Sequence, residues 1–154
     1  MSAERFNRIV QVGLIALDKE KVISSMREVF KVEPDVVRKT LQDNSRIFRG
    51  KPGTFLAECI SYKFANIDIE FVIPIEGPSV WQEWIGEHGI GLHHLLFDVD
   101  SWDGAVNELE EAGIPLAQGS ASVTGIPGVK TGYFDSFDKL LFVMEMRNTR
   151  EMQK

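Results

Sequence analysis

The chain passes twice through the same order of predicted elements, in which an apolar strand is followed by a helix and then by further strands. Residues 9–17 are almost wholly apolar and rich in Val, Ile and Leu, which is typical of a buried strand. Asp18 then offers an N-cap to a helix with apolar side chains on one face. Residues 92–99 form a second such strand, Ser101 caps a second amphipathic helix, and Gly113 ends that helix. The sequence therefore predicts two copies of one module.

Short strands are predicted behind each helix, and they complete a β-α-β-β-β order in both halves. These strands are residues 36–41, 55–62 and 67–74 in the first half, and residues 115–118, 129–134 and 140–146 in the second. Residues 44–53 and 119–128 are predicted to be loops because Gly and Pro interrupt them. No long linker separates the halves, so we predict a single unit over residues 1–154, with module one at about residues 6–88 and module two at about residues 89–150.

Composition and charge exclude several classes of protein. The 154 residues are 44% hydrophobic and 26% charged, which is typical of a globular domain, and the net charge of -6 lacks the basic face of a nucleic-acid binder. Cys59 is the only cysteine, so no disulfide forms within the chain. No apolar run reaches the roughly 20 residues of a membrane span, and the first residues lack a signal core. We expect a cytoplasmic protein without a nucleic-acid or membrane partner.

Four polar residues interrupt strands that are otherwise apolar. Gln11 lies in the first strand of the first half, and His94 lies in the first strand of the second half. Glu70 and Glu145 lie in the last strands of the two halves. Because an unpaired polar group in a buried strand costs about 1–3 kcal/mol, each of these side chains needs a partner. Two equivalent pairs from two equivalent modules can converge where the modules meet.

This set of residue types is suited to a divalent metal ion. Two carboxylates supply negative charge, an imidazole supplies a nitrogen, and an amide oxygen serves as a neutral ligand. We therefore hypothesise that Gln11, Glu70, His94 and Glu145 bind Co, Mn, Ni, Zn or Mg. Taken singly, each residue also has an ordinary interpretation, such as an exposed strand Glu, an edge Gln or a core His. His93 is predicted to lie on the opposite face of its strand and to serve in packing or behind the ligands.

Residues 89–99, which read Gly-Ile-Gly-Leu-His-His-Leu-Leu-Phe-Asp-Val, resemble the vicinal oxygen chelate superfamily (glyoxalase, bleomycin resistance and dioxygenase proteins), and methylmalonyl-CoA epimerases in particular. In those enzymes the second His of a Gly-Leu-His-His strand binds the metal, and it corresponds to His94. Residues 11–18, 70–74 and 141–146 stand in the places of the other ligand-bearing strands. The resemblance implies an α+β fold in which paired βαβββ modules form a curved, open-barrel sheet around a metal cleft.

Two departures from the epimerase pattern concern the first ligand and a late turn. Gln11 stands where the epimerases carry His, although the animal type of glyoxalase I uses Gln, Glu, His and Glu in the same order as here. Glutathione-using glyoxalases have an Arg four residues after that Gln, whereas this chain has Ile15. Residues 134–139 lack the usual Pro and Gly of an Asp-Pro-x-Gly turn.

The resemblance implies a metal-dependent isomerase or epimerase that transfers a proton next to a carbonyl group, of the methylmalonyl-CoA epimerase type. Its partners would be a small-molecule substrate, such as an acyl-CoA, and a second copy of the chain in a homodimer. Glu145 is the predicted catalytic base, because the last-strand Glu is the mobile base in the resembled glyoxalases. The alternatives are a glyoxalase I-type lyase and a metal-free small-molecule binding protein of the bleomycin-resistance type.

Glu58 lies near the place where the epimerases carry a base of their own. If the hairpin turns at residues 65–66, Ser61 faces Glu70, and Glu58 then points away from the metal because alternate strand residues occupy opposite faces. We therefore predict that Glu145 is the base, and Glu58 stays an alternative, because a bulge or a three-residue turn would reverse its face.

Overall fold

One continuous sheet of ten strands, with four α-helices, makes up the computed structural model, which describes residues 4–40, 42–120 and 126–153. The strands are β1 (Ile9–Ile15), β2 (Val36–Lys39), β3 (Ile47–Phe48), β4 (Lys51–Pro52), β5 (Leu56–Lys63), β6 (Asp68–Glu76), β7 (Gly91–Asp98), β8 (Leu116–Ser120), β9 (Thr131–Phe134) and β10 (Val143–Arg147). The helices are α1 (Lys19–Phe30), α2 (Val80–His88), α3 (Trp102–Glu111) and α4 (Phe137–Leu140), with a short 3-10 helix at Glu151–Gln153. Within these described ranges, no helix has the length and apolar character that crossing a membrane requires.

The order of the strands repeats the predicted module. Strands β2-β5-β6-β1 are followed in the sheet by β7-β10-β9-β8, so that β1-α1-β2-β5-β6 and β7-α3-β8-β9-β10 have the same connectivity. The two halves join through β1 and β7, which are antiparallel. The sheet curls into a half-barrel, which confirms the predicted α+β fold of paired βαβββ modules. The exact module boundaries stay a prediction.

The pairing of β1 with β7 is symmetric. Gln11 on β1 faces Leu96, which lies two residues after His94. His94 on β7 faces Gly13, which lies two residues after Gln11, so the two candidate ligands occupy equivalent positions. This register is the one expected when two copies of a module meet around a twofold axis. It places both candidate ligands close to the centre of the sheet.

Both predicted N-caps are present, and their helices cover the outer face of the sheet. The Asp18 side chain accepts a hydrogen bond from the Lys21 amide at 3.1 Å, and the Ser101 hydroxyl accepts one from the Gly104 amide at 3.2 Å. Helix α1 buries Met26 against strands β5 and β6, and α3 packs against β7, β9 and β10. The concave face is instead packed by α2, whose Trp81 inserts between aromatic side chains of β9 and the segment before β5.

The predicted loop at residues 44–53 is wrong, because it contains the hairpin of β3 and β4. Arg49 and Gly50 turn this hairpin with φ angles of +48° and +78°. Strand β3 pairs with β8, although the preceding strand β2 pairs with β5 at the other side of the sheet. Seven residues, 40–46, connect β2 to β3, and they span at most about 29 Å from Lys39 to Ile47. This short crossing requires the sheet to curl.

Two further predictions differ from the structure or extend past it. The predicted strand at residues 140–146 begins only at Val143, because helix α4 extends to Leu140 and Leu141 follows it in the left-handed conformation. The predicted loop at residues 119–128 begins as the end of β8, and its residues 121–125 lie outside the described residues. Leu41, the last residue of the predicted strand 36–41, also lies outside them.

Replacing Leu141 with Gly is expected to stabilise the protein. Leu141 is 77% exposed and has a φ of +65°, so Gly relieves backbone strain without removing buried apolar surface. We expect the free energy of unfolding to rise by up to about 1 kcal/mol in a urea titration. The matched control is Leu92→Gly, at an equally exposed strand position, where the same change should lower it. A lower stability of Leu141→Gly would contradict the assignment of strain.

Candidate metal site

The four predicted ligands lie on four neighbouring strands in the middle of the sheet. Gln11, Glu70, His94 and Glu145 belong to β1, β6, β7 and β10, whose order in the sheet is β6-β1-β7-β10. All four side chains are buried. Within β6 and β10 the two glutamates alternate with residues packed under α1 or α3, so they face the concave side of the half-barrel.

The structure brings these four side chains together as two pairs. Gln11 Nε2 lies 3.4 Å from Glu70 Oε2, and His94 Nε2 lies 3.0 Å from Glu145 Oε2. Each pair lies on two parallel strands, β1 with β6 and β7 with β10. In both, the glutamate faces the residue two places after Gln11 or His94. In the part of the chain that the structure describes, no three His, Cys, Asp or Glu side chains lie close enough together to hold one ion. The geometry is therefore that of two half-sites.

The pair of His94 and Glu145 has unusual chemistry. The facing atoms, Nε2 and Oε2, are both buried, and neither makes a hydrogen bond. A buried imidazole and carboxylate normally satisfy each other with a proton between them. A separation of 3.0 Å is also the distance between neighbouring ligands on one octahedral ion, because metal–ligand bonds of about 2.1 Å meet there at right angles. These two atoms fit a shared cation.

The His93 ring contacts the second ring nitrogen of His94, Nδ1. The prediction that His93 lies on the opposite face of its strand from His94 is therefore wrong. The two Nδ1 atoms lie 2.9 Å apart. The cause is a bulge in β7: consecutive β1 residues Gly13 and Leu14 pair with His94 and Leu92, so His93 is an extra residue on its strand. A bulge turns neighbouring side chains toward the same region.

The tautomer of His94 follows from the state of its neighbour. Burial, together with the nearby His94 and His88, lowers the pKa of His93 to about 2, so His93 is neutral and can accept a hydrogen bond. When His93 Nδ1 is the acceptor, the proton between the two rings belongs to His94 Nδ1. His94 Nε2 then presents a lone pair, and a lone pair facing a carboxylate oxygen is suited to bind a metal ion.

Gly13 makes room for the His94 ring. A Cβ atom built on Gly13 would lie 1.9 Å from both Cε1 and Nε2 of His94, so the imidazole lies directly over the glycine backbone. Sequence reasoning did not single out this residue. The available signal was a Gly inside an apolar strand, which often marks the close approach of another group.

Sequence reasoning also missed Arg38 on β2. Its Nη2 atom lies 3.6 Å from Glu70 Oε2, and its buried Nη1 atom has no hydrogen-bond partner. Burial disfavours the charged guanidinium, but the carboxylates of Glu70 and Glu145 contribute to raising the pKa of Arg38 above its ordinary value. The cleft therefore contains a permanent cation. Nothing in the local sequence indicated this, because only the pairing of β2 with β5 brings Arg38 to the cleft.

Tyr133 lies beside both His94 and Glu145. It pairs with Glu145 across β9 and β10, and its ring centroid lies 5.1 Å from that of His94. Burial raises the pKa of Tyr133, and the charges of Glu145 and Glu70 raise it further, so the side chain stays a phenol. Burial and the charge of Glu145 likewise raise the pKa of Glu70. Two buried carboxylates with one guanidinium leave the cleft short of positive charge.

A cavity of about 30 Å³ lies among these side chains. It has room for about two water-sized groups. Its lining includes Arg38, Glu70, Trp81, Thr131, Tyr133 and Glu145. A second cavity, of about 250 Å³, is lined by His93 and His94 together with mostly apolar side chains, and it adjoins the same pair of histidines.

Glu58 lies outside the cleft, as the alternation of side chains along its strand predicted. Ser61 faces Glu70 across β5 and β6, and the Ser61 hydroxyl donates to Glu70 Oε2 at 3.3 Å. The Glu58 side chain instead forms an ion pair of 2.6 Å with Lys19 on α1. This places the Glu58 carboxylate on the outer face of the sheet.

Gly13→Ala is expected to displace the His94 imidazole and to weaken binding of a divalent ion by at least about tenfold, because ligands must keep their orientation. The measurement is a titration of the metal-free protein with Co or Mn, followed by calorimetry. The control is Gly86→Ala at an exposed position of helix α2, where an added Cβ meets nothing within 4 Å and affinity should stay unchanged. Unchanged affinity in Gly13→Ala would contradict the contact with His94.

The fold is similar to that of several solved structures. A hypothetical protein from Bacillus halodurans has a TM-score of 0.67 at 15% identity, covering 92% of this chain and 94% of that one. A variant of Streptomyces coelicolor methylmalonyl-CoA epimerase, solved in complex with 2-nitronate-propionyl-CoA, has a TM-score of 0.65 at 14% identity, covering 93% and 94%. Methylmalonyl-CoA epimerase from Mycobacterium tuberculosis has a TM-score of 0.65 at 15% identity, covering 96% and 92%. At these identities the likeness establishes the fold.

A family model covers most of the chain. Comparison with functionally curated proteins gives no match. The model of the glyoxalase/bleomycin resistance protein/dioxygenase superfamily matches residues 10–133, a range that includes Gln11, Glu70 and His94. With the duplicated fold and the strand motifs in agreement, this chain belongs to the glyoxalase/bleomycin resistance protein/dioxygenase superfamily.

Proposed function

We propose that the protein is a metal-dependent isomerase or epimerase, which transfers a proton next to a carbonyl group of a small-molecule substrate. The observation that carries this proposal is the buried pair of His94 Nε2 and Glu145 Oε2, which lie 3.0 Å apart without a hydrogen bond. Gln11 and Glu70 supply further oxygen donors from the adjacent strands. This donor set suits Co, Mn, Ni, Zn or Mg.

The residues of the cleft have two proposed roles, which are to bind a metal ion and to transfer a proton. A divalent ion, when bound, acts as a Lewis acid that stabilises negative charge on substrate oxygens. Gln11, Glu70, His94 and Glu145 would hold that ion. His93 accepts the Nδ1–H of His94 and so fixes the direction in which His94 Nε2 points.

Glu145 is the carboxylate best placed to accept the substrate proton. Its Oε2 atom is buried and makes no hydrogen bond. The corresponding atom of Glu70 contacts Gln11, Ser61 and Arg38, which leaves it less able to take up a proton. Tyr133, a neutral phenol, lies beside Glu145 in the next strand. Glu58 is proposed to have no part in the chemistry, since Lys19 holds it on the outer face.

The proposed substrates are acyl-CoA thioesters with a proton next to the carbonyl. The support comes from structural neighbours, since methylmalonyl-CoA epimerases have been solved in complex with 2-nitronate-propionyl-CoA and with methylmalonyl-CoA. The second candidate is a glyoxalase I-type lyase, which the order Gln11, Glu70, His94 and Glu145 favours. Assays with methylmalonyl-CoA and with the hemithioacetal of methylglyoxal distinguish the two. A protein that binds no metal and converts neither compound would instead be a binding module.

The wild-type protein is expected to bind about one divalent ion per chain, and His94→Ala should lose most of it. His93→Leu should weaken binding by about tenfold to a hundredfold, because the orienting hydrogen bond to His94 is lost. His93→Asn, which restores an acceptor, should recover part of the affinity. Metal content after dialysis, measured by atomic emission, tests these statements. The control is Gln82→Leu, at an exposed position of α2, and wild-type content in His94→Ala would contradict the proposal.

Glu145→Gln is expected to slow exchange of the substrate proton with D₂O by about a hundredfold or more, even where metal is retained. Glu58→Gln should leave exchange nearly intact, because its carboxylate contacts Lys19 rather than the cleft. Exchange of the α-proton of methylmalonyl-CoA is followed by NMR on metal-loaded protein. Loss of exchange in Glu58→Gln, with metal still bound, would overturn the choice of base.

A further inference from the structure

Cys59 is a titratable side chain of β5 that points into the cleft and has no part in the proposed ligand set. Glu58 and Tyr62 of the same strand lie on its outer face, with Lys19 and under α1. Cys59 is buried, carries a free thiol and lines the cavity of about 30 Å³ together with Glu145. The thiol therefore belongs to the same enclosed space as the proposed base.

Cys59 and Glu145 lie on opposite sides of this cavity. Three strands, β6, β1 and β7, separate β5 from β10 in the sheet. The two side chains line one small space because the half-barrel curls. The cavity has room for about two water-sized groups, and a carbon atom with its hydrogen is a group of about that size. A substrate carbon placed there would have the thiol on one side and the carboxylate on the other.

Unpaired polar atoms mark the same cavity as a space for a polar ligand. Trp81 Nε1, Thr131 Oγ1 and Glu145 Oε2 belong to side chains of its lining that are more than nine-tenths buried, and none of these atoms has a hydrogen-bond partner. A buried polar atom that stays unpaired costs about 1–3 kcal/mol. Two donors and an acceptor around one space are unsuited to purely apolar packing, and they surround the Cys59 thiol.

Cys59 and Glu145 have complementary proton states. Burial and the charge of Glu70 raise the pKa of the Cys59 thiol well above its ordinary value, so the thiol keeps its proton. Arg38 faces Cys59 across β2 and β5, and its positive charge opposes this shift. The thiol is therefore an acid with a cation beside it that stabilises the thiolate, whereas Glu145 is the proposed base.

Epimerisation requires proton donors and acceptors on both faces of the reacting carbon. The α-proton leaves one face, a planar enolate forms, and inversion follows only if a proton arrives at the other face. A carboxylate on one side of a bound substrate reaches one of these faces. Glu58 does not supply the second group, because its carboxylate pairs with Lys19 on the outer face of the sheet.

We propose that Cys59 is a second catalytic residue, which delivers a proton to the face of the substrate carbon opposite Glu145. This inference rests on the proposed function and specifies epimerisation as its reaction. Glu145 accepts the α-proton, and the electron pair of the broken C–H bond passes into the enolate. The new C–H bond forms with the thiol proton, and sulfur keeps the S–H electron pair as a thiolate beside Arg38. The other epimer reacts in reverse, with the thiolate as base and the Glu145 carboxyl as acid.

The test separates removal of the proton from inversion of the carbon. Each epimer of methylmalonyl-CoA is incubated in D₂O with metal-loaded protein, exchange is followed by NMR and inversion by circular dichroism. In Cys59→Ala, Glu145 still removes the proton that faces it, so exchange of one epimer should stay within a few-fold of wild type. Inversion, and exchange of the other epimer, should fall by about a hundredfold or more.

The matched control is Val72→Ala, which faces Cys59 on β6 and removes volume from the same apolar cluster. It should leave the ratio of inversion to exchange at the wild-type value. The metal content of Cys59→Ala should equal that of the wild type, because Cys59 is not a proposed ligand. A wild-type ratio or a loss of metal in Cys59→Ala would overturn the role of Cys59.

The wild-type protein distinguishes failure of this proposal from failure of the proposed function. Exchange without inversion in the wild type would overturn the role of Cys59 and leave the transfer of a proton next to a carbonyl in place. Absence of exchange for both epimers would overturn the proposed function on this substrate, and the role of Cys59 with it.

Discussion

The antiparallel contact between β1 and β7 supports both the sheet and the candidate site. Through this contact two modules of the same connectivity become one sheet, and its symmetric register places Gln11 and His94 side by side near the centre. The contact also depends on a glycine, because any side chain at Gly13 would occupy the volume of the His94 imidazole. The pairing of β1 with β7 therefore also fixes the positions of the candidate ligands. A change in the register of this pairing would move the two half-sites apart.

Electrostatics determine what this cleft can do. Two carboxylates are buried on the concave face, where the loss of hydration makes their negative charge costly. Arg38 offsets part of it, and the remaining imbalance, together with the facing atoms of His94 and Glu145, is what a divalent ion would relieve.

The limits of pattern reasoning are visible in two neighbouring strands. Alternation along β5 correctly placed Glu58 outside and Ser61 opposite Glu70, because the hairpin from β5 to β6 is short and its register follows from the turn. The same reasoning failed for His93, because the bulge in β7 adds a residue and shifts the alternation. The irregularity places His93 directly behind His94, where it orients the ring.

The sequence by itself determined the duplicated α+β fold, the two capped helices and the four polar residues of the central strands, because hydrophobic periodicity and capping are local properties of the chain. Only the tertiary structure decided which other side chains enter the cleft. Arg38 and Thr131 lie on strands of different modules, and they line one cavity only because the sheet curls. The pairing of distant strands and the curvature of a sheet arise from contacts between residues far apart in sequence, and no local pattern encodes them.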